Sequence, residues 1–121
     1  PQQIQQVLLN LLKNALDAHR AAGRPDAPIT ISIEPQGDRL ALAVKDEGAP
    51  LGEAERARLF EPFYTTRPDG LGLGLAICRG IAETHGGALQ ARPADAAGGP
   101  GMVFELRLPL APPAPLQETA P

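Results

Sequence analysis

Residues 6–18 read QVLLNLLKNALDA, and the spacing of their apolar side chains decides the first layer of the fold. Counting outward, Ile4, Val7, Leu8, Leu11, Leu12, Ala15, Leu16 and Ala18 recur at intervals of three and four. That spacing predicts an α-helix over residues 3–19 with one continuous apolar face. Gly23 and the following Arg24-Pro25-Asp26 predict where it stops. Downstream the period changes from helical to two. Ile29, Ile31 and Ile33 alternate with Thr30, Ser32 and Glu34, which predicts a half-buried strand. Pro35-Gln36-Gly37-Asp38 reads as a turn, and Leu40, Leu42 and Val44 line one face of a second strand, giving an antiparallel hairpin.

Residues 53–59 are short and charged, a helical turn leading to Phe60, and the Gly-, Pro- and Thr-rich stretch 65–74 predicts a loop. Leu75, Ala76, Ile77, Ile81 and Ala82 predict a second long helix, closed by Gly86-Gly87. Residues 89–92 and 103–108 read as two further strands about a Gly-rich turn at 97–101. The tail 111–121 contains four prolines and little to bury, so disorder is expected there. The expected architecture is α+β: a four-stranded sheet with two long helices on one face.

Composition narrows the function. A chain of 121 residues allows one domain, and 43% hydrophobic with 21% charged residues is a soluble globular balance. The net charge of −3 and the absence of a basic run argue against nucleic acid as a partner. No apolar run reaches the ~18 residues of a membrane span, and no signal peptide is recognisable. A single cysteine, Cys78, excludes an internal disulfide and a cysteine-ligated zinc site. The chain starts at Pro1 and its only methionine is Met102, so a piece of a longer protein is expected.

Several polar residues stand where packing alone would not put them. Asn10, Lys13, Asn14 and Asp17 share an arc of about 100° beside the apolar stripe. This reads either as a solvated helix face or as a site for a hard cation carrying phosphates, since amide oxygens suit Mg²⁺ and an ammonium suits phosphate. Mid-helix asparagine is a poor helix former, which makes the stripe suggestive but by itself leaves both readings open. Asp46 has the parity of Leu40, Leu42 and Val44, so it points to the core side at a strand end. It reads either as a turn cap through Gly48 or as the acceptor at the bottom of a pocket, awaiting a donor such as an exocyclic amine. Gly70, Gly72 and Gly74 precede a helix, which suits either a flexible linker or a phosphate cradle at a helix N-terminus. The run lacks the Lys and Ser or Thr of a P-loop and the flanking strand of a dinucleotide fold. Phe60, Phe63 and Tyr64 form a local apolar anchor, with Thr65, Thr66 and Arg67 just beyond as candidate phosphate contacts. His19 and His85 have no metal-ligand partners at useful spacing. His85 reads as a helix-end residue facing carbonyls, and Cys78 as a small side chain packed on the sheet.

Taken in order, QVLLNLLKNALDA (6–18), DEGAP (46–50), FEPFYTTR (60–67) and DGLGLGLAICRGIAETHGG (69–87) resemble the N-box, first glycine box, F-box and second glycine box of one family. They resemble the ATP-binding catalytic (HATPase) domain of two-component sensor histidine kinases of the nitrogen-regulation and dicarboxylate-sensor type. That domain lies within the GHKL superfamily of gyrase, heat-shock chaperone, histidine kinase and MutL ATPases. The resemblance covers residues 1 to about 110. It implies the two-layer Bergerat fold, a mixed sheet with helices on one face, without the two strands that usually precede the N-box. The edge so uncovered would favour a dimer or strand swap.

The resemblance also implies roles. Asn14 would be the main Mg²⁺ ligand and Asn10 the second, with Lys13 towards the phosphates and Asp17 in the same nucleotide-facing set. Asp46 would accept from the adenine amino group, and Gly48 would let the base approach. Phe60 and Phe63 would anchor the lid; Arg67, Gly70, Leu71, Gly72, Gly74 and Leu75 would wrap the triphosphate. The implied function is to bind Mg-ATP and donate its γ-phosphate to a histidine on a separate dimerisation domain, with a response regulator downstream. Asn14 and Lys13 are the catalytic residues of that reading, through positioning and charge neutralisation. The implied location is the cytoplasm, or the cytoplasmic part of a membrane-anchored sensor. On its own the chain is expected to bind nucleotide without autophosphorylating.

Two departures bear on this. Ala49 and Pro50 stand where the family has a second glycine, and Met102 follows Gly101 where the family often has threonine, both weakening the expected adenine site. They support an alternative reading as a degenerate GHKL interaction module, which Asn10, Asn14, Asp46 and the lid glycines oppose. An anti-sigma-factor-type serine kinase is a further alternative, but it typically has Glu where Asn10 stands and lacks the FEPF anchor.

Overall fold

The computed structural model describes residues 2–49, 51–61, 74–95, 97 and 99–110. Helix α1 (Gln2–Ala21) leads into strands β1 (Thr30–Gln36) and β2 (Arg39–Lys45), then the short α2 (Glu53–Arg58) and α3 (Gly74–Thr84), and finally β3 (Ala88–Pro93) and β4 (Met102–Pro109). The strands form one sheet in the order β1-β2-β4-β3. All three pairings among the described strands are antiparallel, so the parallel component expected of a mixed sheet is not present among them. The α+β, two-layer expectation holds. The Pro-rich tail 111–121 lies outside the described residues.

The helical period is visible as burial: Val7, Leu11, Ala15 and His19, each four residues apart, form the buried line of α1. Cys78 and Ala82 of α3 meet it, and Val44, Leu89, Met102, Phe104 and Leu106 rise from the sheet to complete the core. Cys78 joins this core as expected and also meets α1, its Sγ 4.0 Å from the Val7 carbonyl oxygen. Gly86, with φ 78°, ends α3 in the left-handed region as its sequence position predicts.

Two local expectations need correction. Pro35 and Gln36 belong to β1, and the hairpin turns on Gly37-Asp38 alone, between the paired Gln36 and Arg39. Gly37 supplies the positive φ of 64° that so tight a turn requires. The half-buried strand predicted from Ile31 and Ile33 is instead exposed along its length. Those side chains sit opposite Val44 and Leu42, hence on the helix side, yet remain 46% and 59% exposed. The helix layer is centred on β2, β4 and β3, so parity alone did not ensure cover. The reverse holds on the other face of the sheet. There Glu105 is buried and paired with Arg107 (2.9 Å) and Arg92 (3.4 Å). Among the described residues, no helix is long and apolar enough to cross a membrane.

The burial contrast sets a stability contrast. Leu106→Ala, in the centre of the core, is expected to cost about 2–5 kcal/mol. Ile33→Thr should stay within about 0.5 kcal/mol, as an exposed substitution does. Urea denaturation of both variants measures the difference.

Candidate functional site

Strand β2 ends at Lys45, and the next residue turns inward as its parity predicts: Asp46 is 1% exposed. Its Oδ1 accepts two backbone N–H groups, Gly48 at 2.9 Å and Met102 at 3.2 Å. The Asp46 N–H donates to the Met102 carbonyl at 3.0 Å, and the Gly101 N–H to the Gly48 carbonyl at 2.7 Å. Asp46 is therefore both the turn cap and a buried acceptor, and Oδ2 takes neither of these two bonds. Two amides offset the cost of burying a carboxylate and fix its rotamer.

Glycine is needed here for packing. A Cβ on Gly48 would lie 2.9 Å from the Cβ and the carbonyl oxygen of Ala18, so its bareness lets the loop rest on α1. Gly101 has φ 104°, and a Cβ there would collide with the Asp46 carbonyl oxygen. Met102 contributes its backbone N–H, which threonine at that position would supply equally. Replacement of threonine therefore does not remove this hold on Asp46.

The end of α1 reaches the same loop. The Glu47 N–H donates to His19 Nε2 at 2.8 Å. Arg24 donates to the Glu47 carbonyl at 3.1 Å and to its carboxylate at 2.9 Å. One turn before Ala18, about 6 Å of helix rise, lies Asn14, half-buried, with Asn10 one turn earlier again. Asn10 hydrogen-bonds the Cys78 thiol, whose pKa burial pushes up while this bond acts the other way. Lys13 is exposed, and Asp17 is 3.9 Å from Arg20. The structure thus brings the Asn10–Asp17 stripe and the Asp46–Gly48 loop onto one helix. Asn10 and Asn14 provide hard oxygen donors at i and i+4, which fits Mg²⁺ held by few protein ligands and by phosphate oxygens.

Gly74 opens α3 and is exposed, while Leu75 is partly buried against the core. Phe60 packs on the core and lies under the Arg79 guanidinium, 5.4 Å from its ring centre. Phe63, Arg67, Gly70, Leu71 and Gly72 lie outside the described residues. His85 corrects its expected role: its ring meets the Gln3 side chain at 3.0 Å, joining α3 to α1, instead of facing helix-end carbonyls. A groove of about 380 Å³ between α2, α3 and β3 is lined by Arg56, Arg79 and Arg92. Each already has a partner, the Leu51 carbonyl, Glu83 and Glu105 respectively.

Sequence reasoning missed His19, Arg24 and Gly101. His19 could have been found as the fourth member of the 7, 11, 15 buried line. Gly101 had a signal as the glycine opening the last strand. Nothing in the sequence marked Arg24.

Comparison with known proteins supplies the family. The family described as histidine kinase-, DNA gyrase B- and HSP90-like ATPase matches residues 1–112. The sensor protein TdiS of Thauera aromatica is 40% identical over 110 residues, 89% of this chain and 20% of that protein. The chain spans about a fifth of the length of the curated relatives it matches. Among solved structures, the nucleotide-free catalytic domain of histidine kinase ThkA superposes with a TM-score of 0.75 at 35% identity, covering 89% of this chain and 66% of that one. Full-length ShkA in complex with AMPPNP gives 0.76 at 30% identity, covering 94% of this chain and 23% of that one.

Gly101→Ala tests the loop geometry. It combines a left-handed φ with a collision on the Asp46 carbonyl, so a loss of about 2 kcal/mol or more is expected in chemical denaturation. Gly37→Ala, equally left-handed but with open space around it, should cost about 1 kcal/mol.

Proposed function

The chain belongs to the histidine kinase-, DNA gyrase B- and HSP90-like ATPases, as a catalytic domain of the sensor-histidine-kinase type. From that premise we propose that it binds Mg-ATP between the asparagine stripe of α1 and the Asp46 loop, and presents the γ-phosphate to a histidine on another domain. The observation that carries the reading is Asp46. A buried carboxylate with one oxygen fixed by two amides is pre-organised to accept a hydrogen bond through the other. The exocyclic amine of adenine is such a donor; guanine has a carbonyl oxygen at that position.

In this reading Asn14 and Asn10 offer amide oxygens to Mg²⁺, and exposed Lys13 neutralises phosphate charge. Gly74, as the first residue of α3, would put helix N–H groups near the phosphates, and Arg67, Gly70, Leu71 and Gly72 are the residues that the family resemblance assigns to the same phosphates. Mg²⁺ supplies charge neutralisation across the phosphates. The chain's own contribution is positioning, because neither of its histidines suits phosphoryl acceptance. His19 is fully buried, and His85 is bonded to Gln3. The phosphoacceptor would come from a dimerisation domain of the same kinase, and a response regulator would take the phosphoryl group onward. The cytoplasm, where ATP is available, is the compartment this chemistry requires.

Calorimetric titration with a non-hydrolysable ATP analogue, with and without Mg²⁺, tests the assignment. Asp46→Asn keeps the acceptor for Gly48 and Met102 but sets an amine where Oδ2 stood, so affinity should fall about 10- to 100-fold. Asn14→Ala should chiefly remove the strengthening by Mg²⁺. Parent-like binding by both variants would sink the site.

A further inference from the structure

The buried line of α1 ends in a residue that packing does not explain. His19 is 0% exposed, in register with Val7, Leu11 and Ala15, where another aliphatic side chain would serve the core. Instead a polar ring is buried, and among the described residues its Nδ1 has no hydrogen-bond partner. Leaving a buried donor unmatched costs free energy, so the ring's other nitrogen identifies what the histidine does.

That nitrogen, Nε2, accepts the Glu47 N–H at 2.8 Å. Because the amide donates, Nε2 must present its lone pair there, which puts the single proton of the neutral ring on Nδ1. The Glu47 amide has no strand to bond: β2 ends at Lys45, and the Asp46 amide is the last to reach β4. Among the described residues Glu47 is therefore held by His19 of α1 through its N–H, and by Arg24, in the turn that follows α1, through its carbonyl and carboxylate. The residue held in this way lies between Asp46 and Gly48.

We propose that His19 is a positioning residue for nucleotide recognition: its neutral Nδ1–H tautomer pins the Glu47 amide and so sets the direction of the Asp46 carboxylate. The proposal rests on the nucleotide reading above. It makes the base-recognising loop and the asparagine stripe parts of one rigid helix-borne unit. Arg24 adds a second, more exposed tether to the same residue, so the loop stays folded when the ring is replaced but its orientation relaxes.

Two variants and one spectrum test this. His19→Leu keeps the buried volume and removes the acceptor; His19→Gln returns an acceptor oxygen at a similar reach. With the Mg-bound ATP analogue, His19→Leu should bind about tenfold more weakly, His19→Gln should recover most of that loss, and the factor by which Mg²⁺ strengthens binding should be unchanged in both. Imidazole nitrogen NMR of the parent should show Nδ1 protonated, Nε2 bare and a coupling from Nε2 to the Glu47 amide. A protonated Nε2 in the neutral ring overturns the proposal, as does parent-like binding by His19→Leu, or equal weakening by Leu and Gln. A folded parent that binds no nucleotide overturns the proposed function itself, and the inference falls with it. The failures are thus distinguishable.

Discussion

Two backbone amides converging on Asp46 Oδ1 are the constraint around which the rest of the structure is arranged. They come from different parts of the chain, Gly48 two residues on and Met102 at the start of β4, so the carboxylate joins the end of one strand to the beginning of its neighbour. Burial makes the junction stringent. A carboxylate out of water is tolerated only when its lone pairs are met; the glycine at 101 lets the start of β4 close on the Asp46 backbone, and the glycine at 48 lets the loop rest on Ala18. The ladder between β2 and β4 then continues outward from this point.

A second dependence follows from the first. The loop that caps β2 has to rest on something, and it rests on the last turns of α1, against Ala18 and His19. The helix that supplies the core line Val7, Leu11 and Ala15 therefore also carries the polar stripe and supports the Asp46 loop. Three tasks share one rigid rod at different angles around its axis. Such sharing explains why Asn10 and Asn14 tolerate mid-helix positions that propensity disfavours: the helix is held by its apolar side, so its polar side need not maximise helix propensity.

Much of this was legible in residues alone. The two periods, three-to-four over 3–19 and two over 40–46, established helix and strand, and the parity of Asp46 gave its inward direction because strand geometry leaves only two choices. The four motifs in order gave the family, which no single motif could. What escaped was three-dimensional. Ile31 and Ile33 had the right parity for burial, but whether a helix lies over an edge strand is decided by packing elsewhere. Arg24 sits 23 residues from Glu47, and no local pattern announces such a pair. His19 was visible as part of a stripe, but its bond to a loop amide needed the loop's position.

The thiol between the helices has a use of its own. Cys78 is the chain's single sulfhydryl, buried where α3 meets α1 and bonded by Asn10. Burial disfavours its thiolate, the form that reacts, so alkylation must wait until the two helices part. The labelling rate is then a clock for breathing of the helix layer, read at one atom and needing no engineered probe.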